Sequence, residues 1–258
     1  MEGCGRMTKY KLYLASSVDE AKGCSGYGKA NDQMVKLADA VKSYLGKQTD
    51  QIEIHRNAKN FSLEQVLWDA NSAGIPNNGT GLFLGLSSNY LETVTTQVTS
   101  TGSEVYWHKA LTNHGQRAAE LIYQEVGTIM GKKRCVEDSQ LEKKVKELEH
   151  IEFPAALVYV LYQDNPNDVI RYRATFDSIA IAIANSILRY WKLNTVVPQK
   201  PTQKLMPKTI EELIPLITSD TTLWEEKAKV WKLTNPAQYK LIEELVLGAF
   251  QLGVTYGD

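Results

Sequence analysis

The sequence predicts an α/β protein: a three-layer, mostly parallel sheet with helices on both faces, followed by a small C-terminal helical element. Three observations carry that expectation. Short apolar or alternating runs recur between longer stretches with 3.6-residue apolar spacing, the strand–helix alternation of a parallel sheet. The run FPAALVYVLY (153–162) is apolar nearly throughout and bounded by turn residues, as suits a strand buried on both faces. The 258 residues, 43% of them hydrophobic, suffice for one such domain and an appendage.

KYKLYLASS (9–17) alternates apolar and polar residues and is the first strand. The small-residue loop EAKGCSGYGK leads to a helix over 31–45, whose inner stripe is Met34, Leu37, Ala38, Val41 and Leu45. QIEIH (51–55) is a short strand, and SLEQVLWDAN (62–71) a helix with Ser62 as N-cap. Asn77-Asn78-Gly79 turns the chain into GLFLGLSSNYL (81–91), a strand whose end carries Ser87, Ser88 and Asn89. Ligands of open α/β sheets gather beyond the carboxyl ends of strands, so these residues are site candidates. SEVYWH (103–108) is a strand, and a helix follows over 115–130 with Ala118, Leu121, Ile122, Val126 and Ile129 inward. LEKKVKELEH (141–150) reads as a solvated helix face with i,i+4 charge pairs. After the 153–162 strand, Gln163-Asp164-Asn165-Pro166-Asn167 breaks the pattern, and a long covering helix reaches residue 193. Arg171, Arg173, Asp177 and Arg189 bracket its SIAIAIA stretch too closely for a membrane span.

VVPQKPTQKLMPK (196–208), with three prolines, reads as a linker. Two TxxE capping boxes and an Asn235-Pro236 helix start then predict three short helices. A segment this short seldom supports its own core, so Trp224, Trp231, Leu245 and Phe250 are expected to pack on the main domain, another subunit or a partner. The expected organisation is an α/β domain over 8–195, a linker over 196–208 and a helical element over 209–258 that drives homo- or hetero-oligomer formation.

Composition excludes several classes. Lys and Arg number 29 against 30 acidic residues, a net charge of −1, which gives no field for steering nucleic acid or an anionic membrane. Three scattered cysteines, none in a CxxC pair, argue against a disulfide framework. MEGCGRMTKYKLYL has no long apolar core, so no secretory signal is expected; synthesis is expected in the cytoplasm, with release to the cell wall or in a particle. His55, His108, His114 and His150 do not fall at a common ligand spacing. GYG (26–28) lacks the third glycine of a dinucleotide loop, and no GxSxG elbow surrounds Ser87-Ser88.

The order of the pieces over residues 8–193 resembles the zinc-dependent N-acetylmuramoyl-L-alanine amidases of the type-3 fold. PAALVYVLYQDNPND (154–168) is similar to that family's PAVLVE-x-GF-x-SN-P-x-D stretch, and LFLGLSSN (82–89) to its LFISIHAN strand. LEQVLWDAN (63–71) resembles its helix LSERVALAN, and GSEVYW (102–107) its G-x-EVYY strand, followed by a helix carrying RAAELI (117–122). The resemblance implies a fold that cleaves the lactyl–peptide amide of peptidoglycan with zinc. It also implies where the chemistry would sit. The histidine of the family's DPGHGG falls on Val18, the glutamate opening the first helix on Ala30, the strand histidine on Ser87, and the catalytic glutamate on Tyr159.

Those residues cannot do that chemistry. Catalytic zinc takes three good protein donors and an activated water; valine and alanine offer no donor and a neutral serine is a poor one. A tyrosine with a pKa near 10 is no carboxylate base at neutral pH. The resemblance therefore implies a degenerate amidase without catalytic residues, zinc or other cofactor. It would act as a peptidoglycan-binding or structural and assembly module, such as a subunit of a phage tail or related particle. Ser87, Ser88, Asn89, Tyr159, Gln163 and Asn165 are its binding candidates. Two alternatives stay open: an active amidase with a relocated metal site, to which Asp19 or Glu20 could add a donor, and a pure scaffold without a glycan ligand.

Overall fold

Successive side chains of a strand point to opposite faces. In the computed structural model, which describes residues 10–18, 28–90, 100–108, 113–141 and 145–194, that alternation sorts the apolar residues into two cores. β1 (Tyr10–Ser16) sends Leu12 and Leu14 to one face, Tyr13 and Ala15 to the other. β3 (Gly81–Asn89) divides Leu82, Leu84 and Leu86 from Phe83 in the same way. β6 (Ala155–Tyr162) divides Ala156, Val158 and Val160 from Ala155 and Leu157. With β2 (Ile52–Arg56), β4 (Ser103–Trp107) and β5 (Lys132–Glu137), they form one sheet in the order β2-β1-β3-β6-β4-β5. Every neighbouring pair is parallel except β4 and β6. The mostly parallel three-layer sheet expected from the sequence is thus what the chain forms.

α1 (Ala30–Gln48), α3 (His114–Met130) and α5 (Pro166–Tyr190) cover the first face, and α2 (Leu63–Ser72) and α4 (Lys146–Glu149) the second. The inner stripe expected for the first helix, from Met34 to Leu45, is fully buried. Ser62 caps α2 as expected: its hydroxyl accepts from the Gln65 N–H at 3.3 Å, and the Gln65 side chain accepts from the Ser62 N–H at 2.8 Å. α5 opens on Asn165, whose Oδ1 accepts from the Asn167 and Asp168 amides, with Pro166 in the first turn. Among the described residues no helix is long and apolar enough to cross a membrane.

Two elements differ from the sequence expectation. KKRCVE is a strand, β5, although its basic run shows no apolar alternation. It is the outermost strand, and its exposed lysines are what such an edge tolerates. The charged stretch 141–150 is not a solvated helix. Its described part is one turn, α4, and Val145, Leu148 and Ile151 at three-residue spacing are buried in the second core.

The chain divides into two units, 1–198 and 199–258. The expected linker (196–208) and the expected helical element (209–258), with Trp224, Trp231, Leu245 and Phe250, lie outside the described residues, as do residues 1–9 and 19–27.

Candidate functional site

In parallel register the ends of β1, β3 and β6 arrive at one edge of the sheet, with Ser16 beside Leu86 and Ser87 beside Tyr159. The antiparallel β4 begins there, placing Glu104 beside Tyr159. Most of the buried polar side chains lie at this edge: Ser16, Asn57, Ser87, Ser88, Ser103, Glu104, Gln163, Asn165 and Asp168. Loss of hydration must be offset there by hydrogen bonds, so their partners define what the edge can do.

A small cavity of about 20 Å³ opens beside Ser87. Apolar side chains line it, among them Val18, Leu63, Val66 and Leu157, together with Ser16, Ser17, Ser87 and, from α4, Glu147. Two of the four positions expected to hold the family's chemistry, Val18 and Ser87, therefore meet on one cavity. Tyr159 is paired with Ser87 across β3 and β6, three residues before the end of β6, and its half-buried ring packs edge-on against Tyr106 with centroids 5.7 Å apart. Ala30 does not join them. Its methyl group is buried in the first core at the start of α1, and the next residue, Asn31, donates to the Lys59 carbonyl at 3.2 Å.

The other binding candidates are held by the fold. The Ser88 hydroxyl donates to Gln163 Oε1 at 2.9 Å, both residues being buried, and Gln163 Nε2 has no partner among the described residues. Asn165 uses Oδ1 to cap α5 and Nδ2 to reach the Ser100 carbonyl at 2.8 Å. Asn89 Nδ2 donates to Glu104 Oε2 at 3.1 Å. Ser87 is less committed: its hydroxyl donates to the Ser88 carbonyl at 3.5 Å, at the limit of a hydrogen bond.

Glu104 is the group that sequence reasoning missed. It is fully buried, and each carboxylate oxygen accepts twice. Oε1 takes the Tyr162 hydroxyl at 2.5 Å and Arg134 Nε at 3.1 Å. Oε2 takes Asn89 Nδ2 and the Tyr106 hydroxyl. A carboxylate has about four acceptor sites, so this one has none left for a substrate proton. Burial, then the hydrogen bond to Glu104, pushes the Tyr106 and Tyr162 hydroxyls well above the usual phenol range. Partial burial works against the Arg134 cation, but Tyr106 and Glu104 outweigh it and hold its pKa up. A second buried carboxylate, Asp168, accepts from the Thr101 hydroxyl and from the Gly102 and Tyr162 amides, tying α5 to β4 and β6. Alternation placed Glu104 and Tyr106 on one face, but the burial of Glu104 depends on Arg134 of β5, the strand that the basic run concealed.

These residues do not fit a catalytic zinc. Val18 and Ala30 carry no donor, Ser87 a weak one, and Glu147 supplies a single carboxylate on the cavity lining. Among the described residues no group of three His, Cys, Asp or Glu side chains could hold a metal ion. His55 is engaged with Glu53, and His108 with the buried Asp138 at 2.9 Å. Asp19, Glu20 and Cys24 lie outside the described residues.

No family model matches the sequence, and no curated protein matches it. Solved structures do match. The N-acetylmuramoyl-L-alanine amidase from Clostridium difficile 630 superposes with a TM-score of 0.59 at 16% identity, over 72% of this chain and 98% of that one. The amidase AmiC2 of Nostoc punctiforme gives 0.58 at 16% identity, over 72% and 99%. The CwlD amidase from Clostridioides difficile, solved in complex with the GerS lipoprotein, gives 0.55 at 14% identity, over 72% and 100%. The chain has the fold of the peptidoglycan amidases.

Proposed function

We propose that this chain is a non-catalytic protein on the amidase fold, a peptidoglycan-binding or structural module of an assembly such as a phage tail or related particle. The observation that carries the reading is the chemistry of the strand-end cavity. In a fold shared with peptidoglycan amidases, Val18 and Ser87 line the cavity and Tyr159 is the strand partner of Ser87, where the resemblance requires two histidines and a glutamate. On this reading, this end of the sheet keeps a cavity whose described lining offers too few donors for hydrolysis. Zinc is not expected as its cofactor. Its partner is peptidoglycan or another subunit, reached after release to the cell wall or within a particle.

Glu147 favours one rival, an active amidase with a rebuilt site, because it brings a carboxylate to the cavity from an unexpected element. One carboxylate holds zinc poorly, which is why the rival ranks second. The test is purified full-length protein incubated with purified sacculi, with elemental analysis of the same preparation. The expected result is pelleting with the sacculi, no released muramoyl-peptide products and substoichiometric zinc. Product release lost on chelation establishes the rival, and absence of pelleting leaves only the scaffold reading.

A further inference from the structure

We propose that the cavity beside Ser87 is a subsite for an aliphatic primary ammonium, the end group of an amine-bearing peptide side chain; this rests on the peptidoglycan-binding reading. Size is the first argument. About 20 Å³ accommodates one water-sized group, an ammonium or a methyl, and excludes a ring or a carboxylate with its solvation.

Chemistry is the second. Leu63 and Val66 of α2, with Val18 and Leu157, form walls that suit a methylene stem, while the polar part of the lining is three serines and Glu147. An ammonium carries three donors and no acceptor, and a lining of hydroxyls and a carboxylate supplies acceptors. Glu147 carries the formal charge on that lining, so an anion is repelled and a cation is favoured over a neutral methyl group. Glu147 already takes part in an interaction within the fold. A metal cation fits less well, because hard divalent ions take six or more oxygen ligands or several carboxylates.

The test compares native sacculi whose stem peptides carry free side-chain amines with the same sacculi after N-acetylation. Acetylation removes the charge and enlarges the end group beyond the cavity. The expected result is full binding to native sacculi and a loss of roughly fivefold or more on acetylation, the size of a partly exposed ion pair. Glu147→Gln, an isosteric change, is expected to weaken binding to native sacculi by a similar factor and to abolish the discrimination. Equal binding of the wild-type protein to native and acetylated sacculi overturns the subsite while leaving the peptidoglycan reading intact. No binding to native sacculi overturns both. The acetylation arm uses wild-type protein, so it stands even where the variant folds poorly.

Discussion

Glu104 shows how one buried carboxylate can anchor a site without serving it. Removing one partner of a buried, fully hydrogen-bonded charge cluster strands the others, at a cost of about 3–5 kcal/mol. Glu104→Ala is therefore expected to lose that much in urea unfolding, a large share of the 5–15 kcal/mol typical of a domain. Arg134→Ala leaves the fully buried Glu104 carboxylate without its cation, though three neutral donors still hold it, and is expected to cost about 1–3 kcal/mol. A loss below about 0.5 kcal/mol for either variant contradicts the saturated-carboxylate geometry. The tyrosines give the pH signature. Their folded pKa values are raised above the unfolded value near 10, so the unfolded chain releases protons first as pH rises. Their contribution is full below pH 10 and is lost above it. Stability should fall progressively as pH rises above about 10, less steeply in Tyr106→Phe, and ultraviolet absorbance of the phenolate checks which phenols ionise. At this scale the sequence was half legible. The positions of Ser87 and Tyr159 follow from dense flanking patterns and that of Val18 only from its place after the first strand, while hydrogen-bond partners are a property of neighbouring strands, and Glu104, Arg134 and Glu147 had no local signal.

Elements were more legible, because burial imposes a period on the chain. The strands over 81–89 and 155–162 and the helices over 30–48 and 63–72 follow their apolar spacing closely. β5 escaped because an edge strand needs little buried alternation, and α4 because its short charged turn is held by tertiary contacts of Val145 and Leu148 and not by helix propensity. Packing against the sheet also decides what a helix tolerates. A methyl added at Gly115, in the first turn of α3, would lie 2.6 Å from the Ala155 carbonyl oxygen of β6. The gain in helix propensity is about 1 kcal/mol, and the overlap with backbone costs about 1–3 kcal/mol. Gly115→Ala should lower Tm. Gly46→Ala, in α1 with nothing within 4 Å of the added carbon, should raise stability by about 0.5–1 kcal/mol. If thermal unfolding moves both variants in one direction, then α3 does not lie this close to β6. Asn165→Ala should cost about 1 kcal/mol through the lost cap of α5.

For the molecule as a whole, the two cores close within the first unit. Their buried residues run from Tyr10 to Trp191, and the last of them stacks on the first: the Tyr10 and Trp191 rings lie 5.0 Å apart, 20° from parallel. Trp191 Nε1 also donates to the Gly79 carbonyl at 2.9 Å, which fastens the end of the covering helix to the turn before β3. A chain that buries both faces of its sheet before residue 194 does not need later residues to complete a core. Residues 209–258 nonetheless carry Trp224, Trp231, Tyr239, Leu241, Leu245 and Phe250, more apolar surface than a short segment buries by itself. Truncation at Pro207 should therefore leave cooperative unfolding of the α/β unit nearly unchanged while altering the mass of the particle in solution. Light scattering of the truncated and full-length proteins, beside thermal unfolding of each, separates the two effects. A truncated protein that unfolds without cooperativity shows that the tail completes the core. One with unchanged stability and unchanged oligomeric state shows that the tail is neither core nor assembly device. Unchanged stability with a lower oligomeric state assigns assembly to the tail.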